Sequence, residues 1–120
     1  MEDSAMEDVA ADLTAIAEDH LAKARGAAHG RSAQLIVHDG PLRQSVIALA
    51  SGAALDEHNT PPAASVAVLR GRVRLTMPDG GGTELAAGQL GQIPKVRHGL
   101  VALEDAAVLL TAVTAVAEAP

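Results

Sequence analysis

The chain has 120 residues, a net charge of −6, no cysteine, and no phenylalanine, tyrosine or tryptophan. That length fits a single domain, the usual range being ~100–200 residues per domain. The composition excludes aromatic platforms for single-stranded nucleic acid, aromatic cages for quaternary ammonium ligands, a basic face for duplex DNA, and every disulfide, thiolate or thiol-nucleophile site.

Residues 1–30 form the first predicted unit, an acidic helix and linker. Glu2, Asp3, Glu7, Asp8, Asp12, Glu18 and Asp19 face only Lys23 and Arg25, so this segment holds nearly all of the negative charge. Val9, Leu13, Ile16, His20 or Leu21, and Ala24 recur at three- and four-residue steps, one stripe of an amphipathic helix. Ser4 and Glu7 have capping-box spacing, Lys23 and Arg25 suit the negative end of the helix dipole, and Gly26 is the expected stop. The stripe is narrow, and it is expected to dock on the rest of the chain or on a second subunit. The acidic start has neither the basic nor the apolar region of a secretory signal. The apolar runs are also far short of the ~18 residues of a membrane span. A cytoplasmic protein without membrane contact is the expectation.

From residue 31 the texture changes to short β-type runs between turn residues. Strands are predicted near 33–38, 42–50, 65–70, 72–77, 83–86, 90–93, 100–103 and 107–114. Breaks fall at Asp39-Gly40-Pro41, Ser51-Gly52, Thr60-Pro61-Pro62, Gly71, Pro78 to Gly82, Ala87-Gly88 and Glu104-Asp105. Many short strands at such spacing indicate an all-β sandwich or barrel over residues 31–120. The last strand is apolar on both faces, which calls for cover on both sides. A second subunit is the preferred cover. A core without the ~150–250 Å² that each aromatic can bury supports the same expectation of a homodimer. Gln44, Val66, Val68 and Gln92 are assigned to the barrel interior. Arg70, Arg72 and Arg74 are read as a solvated outer face rather than an anion patch, because two of them alternate with Val73 and Leu75.

Two histidines sit in a distinctive context. His58 follows Gly52 by five intervening residues, with Thr60, Ala64 and Gly71 after it. His98 closes Gly88-Gln89-Leu90-Gly91-Gln92-Ile93-Pro94-Lys95-Val96-Arg97-His98. This spacing over residues 45–113 resembles the two motifs of the cupin family, most closely the small single-domain, RmlC-like members. In the first motif Gly52, His58 and Gly71 match; Thr60 stands at the second histidine and Ala64 at the glutamate. In the second, Gly88 and Pro94 match, Val96 replaces a glycine, and His98 arrives one residue early. The resemblance implies a double-stranded β-helix of jelly-roll type with one N-terminal α-helix.

For function, the resemblance implies a ligand site formed by His58, Thr60, Gln92 and His98. It also implies a metal position at His58 and His98, able to hold Fe, Mn, Ni or Zn weakly. Half of the metal-binding pattern is thus absent. The leading expectation is a small-molecule-binding or structural barrel with a degenerate metal site. Two rivals stand beside it: a metal-dependent dioxygenase or isomerase using His58 and His98, and a ligand-sensing regulatory barrel acting through a partner. His20, His29 and His38 lack comparable context. Glu57 is an outside candidate for a ligand.

Overall fold

A computed structural model describes residues 10–58 and 61–114, and of residues 57 and 58 the backbone alone. The Ser4–Glu7 capping box, Val9 and Thr60 lie outside the described residues.

The helix α1 runs Leu13–Gly26. Its N-cap is Asp12, whose Oδ1 accepts from the Ala15 backbone N–H at 3.1 Å, so a donor of the first turn finds its acceptor in an aspartate rather than in water. Residues 10–12 are not helical. Nine strands follow: β1 (Arg31–Asp39), β2 (Leu42–Leu49), β3 (Ala54–His58), β4 (Ala63–Arg70), β5 (Arg72–Thr76), β6 (Gly82–Ala86), β7 (Leu90–Gln92), β8 (His98–Ala102) and β9 (Ala106–Val113). They form a five-stranded sheet in the order β1-β2-β9-β4-β7 and a four-stranded sheet in the order β3-β8-β5-β6, with every pairing antiparallel. Eight strands fall where the residue pattern predicts them. The ninth, β3, was not predicted, because its Asp56-Glu57 pair belongs to the residue types depleted in strands.

Alternation along the strands sends side chains to two separate cores. Leu49, Val66, Val68, Val73, Leu75, Leu100, Ala106 and Val108 meet between the sheets. Val46, Ala48 and Ala107, one step out of phase, face outward and pack under Ala17, Leu21 and Ala24 of α1. The outer face of β9 around Ala107 and Leu109 is therefore covered by the chain's own helix. Alanine on both surfaces is what allows the close approach, and Leu21, 2% exposed, is the most deeply buried large apolar side chain of α1 at the contact, with Leu13 and Ile16 packed partly buried beside it. At the other end of the helix, Arg25 Nε donates to Asp105 Oδ2 at 2.8 Å, and Asp105 Oδ1 accepts from the Ser51 backbone N–H at 2.8 Å. Asp105 thus fastens α1, the β2–β3 turn and the β8–β9 turn together.

Gly71, the only residue between β4 and β5, has φ +76°. A Cβ there would run into the Asp105 carbonyl oxygen and lie 2.9 Å from Ala106 Cα. The glycine of the first motif is therefore required both by its left-handed backbone and by the close passage of the β8–β9 turn. Among the described residues no helix is long and apolar enough to cross a membrane.

Candidate functional site

The space between the sheets narrows to a cavity of about 30 Å³, lined among the described residues by Ile47, Leu55, Val66, Leu75, Ile93, His98, Gly99, Leu100, Val108 and Leu110. Among these described lining residues His98 is the only one with a titratable side chain. It opens β8 and is 4% exposed. Its Nδ1 lies 3.0 Å from the Val96 carbonyl oxygen. A carbonyl can only accept, so Nδ1 carries a proton and donates to it. Across the sheet, the β3–β8 register sets His58 directly opposite His98. Three steps along β3, from Leu55 to His58, answer two along β8, from Leu100 to His98. A bulge of this kind inserts one residue and breaks the side-chain alternation. The backbone thus brings the two histidine positions together, as their spacing in the sequence implies.

Among the described residues, the position of the first motif's glutamate offers no donor. Ala64 pairs with Ala112 on β9 and packs against the inner core, presenting only a methyl group. Among the described residues no three His, Asp or Glu side chains gather in a way that could hold an ion. A catalytic transition-metal site normally takes three protein ligands and keeps one position open. Two imidazoles do not meet that requirement, so the described residues do not fit a firmly held catalytic metal.

Gln92, assigned to the ligand site and the barrel interior, is exposed and faces the other way. It pairs with Ser65, which pairs with Thr111, which pairs with Gln44. This ladder is out of phase with the inward Val66 and Leu110, and it lies on the outer face of the five-stranded sheet. Gln44 is corrected in the same way, whereas Val66 and Val68 are interior. Alternation was legible in the sequence, but its phase was not: a glutamine inside a barrel and one on its outer wall leave the same two-residue period.

The other histidines have structural settings or none. His20 is 6% exposed. Its Nε2 donates to Gln34 Oε1 at 2.8 Å, and its Nδ1 shares a 2.7 Å hydrogen bond with the Ser32 hydroxyl, which fixes α1 to β1. His29 and His38 are exposed. Arg70 pairs with Glu18 at 3.2 Å, and Arg72 and Arg74 share Glu84 at 2.8 and 3.8 Å. The arginine cluster is an ion-paired surface.

No protein-family model and no curated protein matches the chain. Solved structures do. A conserved protein of unknown function from Streptococcus pyogenes is 27% identical with a TM-score of 0.67, over 76% of this chain and 80% of that one. An RmlC-like cupin from Shewanella frigidimarina is 24% identical with a TM-score of 0.64, over 72% and 78%. The salicylate 1,2-dioxygenase of Pseudoaminobacter salicylatoxidans is 20% identical with a TM-score of 0.66, over 82% of this chain and only 31% of that one.

Proposed function

The chain is a small domain with the cupin fold, and from that premise we propose that it is a non-catalytic binding module whose barrel interior is a packed core rather than a reaction chamber. The observation that supports this is the inner cavity. At about 30 Å³, with apolar walls apart from His98, it has room for a water or two, since one water needs ~10–15 Å³ of such space. Small-molecule sites commonly span ~300–1,000 Å³. A substrate and a metal do not both fit beside His98 in this packing. His58 and His98 together offer a divalent ion two imidazoles, a weak and exchangeable site. Protein purified without added metal is expected to carry well under one transition-metal ion per chain by elemental analysis. A stoichiometric ion that disappears in the His58→Ala, His98→Ala double variant would overturn this reading.

The second reading, a metal-dependent enzyme of dioxygenase or isomerase type, draws support from the facing register of His58 and His98 and from the likeness to a dioxygenase domain. It requires metal-dependent turnover that is lost with either histidine.

A further inference from the structure

A larger concavity lies outside the barrel, on the stretch of outer sheet that α1 leaves bare. Its volume is about 320 Å³, within the range of small-molecule sites. Four of its walls are polar: Ser65 on β4, Gln92 on β7, Thr111 on β9, and Lys95 just beyond β7. The rest of its described lining is apolar: Ala63 and Val113 on the outer face, and Ala64 and Ile93 at the sheet edge, where they also border the inner core. No carboxylate lines it among the described residues, although the chain carries a net charge of −6. Lys95 makes no ion pair with a described residue. The groove is thus a locally cationic spot on an acidic protein, and charge complementarity selects an anion with a single negative group.

The polar groups also have a direction. Thr111 Oγ1 accepts from Gln44 Nε2 at 3.0 Å, so its own hydroxyl proton is left to donate elsewhere. Ser65 stands directly across from both Thr111 and Gln92. Two hydroxyls and an amide therefore form one row across three strands, with the Lys95 ammonium nearby and apolar side chains around them. We propose that this groove binds a short monocarboxylate bearing a hydroxyl next to the carboxyl group and a small apolar chain. The carboxylate meets Lys95, the hydroxyl meets the Ser65–Gln92–Thr111 row, and the chain lies against Ala63, Ile93 and Val113. This names a ligand class for the binding-module reading but places it outside the barrel, independent of His58 and His98.

The test is a titration of the isotope-labelled full chain with 2-hydroxyhexanoate, followed by amide chemical shifts. Saturable shifts confined to residues 63–65, 92–95 and 111–113 are expected. Lys95→Met should weaken binding by about tenfold, the effect of one charged hydrogen bond discounted for exposure, while Lys95→Arg stays close to the parent. Hexanoate lacks the hydroxyl and hexane-1,2-diol lacks the charge; each should bind more weakly than the hydroxy acid. The proposal is overturned by the absence of saturable shifts up to the probe's solubility, or by equal affinity in Lys95→Met. It is also overturned if the same amides move with protein concentration alone, which assigns the groove to a second copy of the chain. None of these outcomes bears on the metal content that tests the barrel interior, so the two readings fail separately.

Discussion

Replacing Leu21 with alanine removes the most deeply buried large apolar side chain that α1 sets against the five-stranded sheet. Leu21 is 2% exposed and sits among Ala17, Ala24, Val46, Ala48 and Ala107, all between 0% and 3% exposed. Leu→Ala substitutions in cores lose about 2–5 kcal/mol, more when the surroundings cannot collapse. Here the fully buried neighbours are alanines and a valine held on a hydrogen-bonded sheet, too short to fill the space, and the larger Leu13, Ile16, Ile36, Leu69 and Leu109 border it only partly buried. The expected loss is about 3–4 kcal/mol. A domain of this length has a total stability of roughly 6–18 kcal/mol, and the melting temperature should fall by at least ~10 °C. With no Trp, Tyr or Phe in the chain, urea unfolding must be followed by far-ultraviolet circular dichroism rather than by fluorescence. The midpoint should drop with little change in slope. Thr14→Ala, on the exposed side of the same helix, should change stability by no more than ~0.5 kcal/mol. A loss below ~1 kcal/mol for Leu21→Ala would refute the argument that the helix seals the outer face of β9.

Two further outcomes follow from the turn at Asp105. Gly71→Ala should destabilise by about 2–5 kcal/mol in the same urea assay, combining left-handed strain with overlap against the β8–β9 turn; an unchanged midpoint would show that the turn yields freely. The carboxyl group of Asp105 is held below its ordinary value of 3.8, first by the hydrogen bond from Arg25, then by the Ser51 N–H, against a small opposing effect of burial. A folded pKa below the unfolded one gives stability that is present above the unfolded value and lost as pH falls through the folded one. Asp105→Asn should therefore flatten the acid limb of the stability curve below about pH 4, and carbon-detected titration of Asp105 should show a depressed midpoint that rises in Arg25→Gln. A midpoint at or above 3.8 would refute the assignment.

The strand pattern was readable because turn residues with fixed backbone demands punctuate it: Gly71 between β4 and β5, Pro78 to Gly82 between β5 and β6, and Gly88 before β7. The pairing of His58 with His98 was readable for the same reason, since the glycines and proline around them set the spacing. What the residues did not reveal has a common cause. Asp56 and Glu57 look like loop residues until β8 supplies a partner for β3. Gln92 looked like part of the barrel interior because facing in and facing out share one period. Both depend on strand pairings made far along the chain.

The position of β9 has a consequence for how the chain is made. The last strand lies in the middle of its sheet, between β2 and β4, and together with β2 it forms much of the seat on which α1 rests. Among the described elements the helix precedes β1 to β9 in the chain, yet its seat is complete only once β9 is in place. Until then β2 and β4 each present an open edge, and the part of the seat that Ala107 supplies is missing. Closure must bridge nearly the whole chain, the kind of long-range pairing that slows folding and leaves apolar strand edges open to other chains meanwhile. Insertion of residues 106–113 between β2 and β4 is thus the step that closes both edges at once.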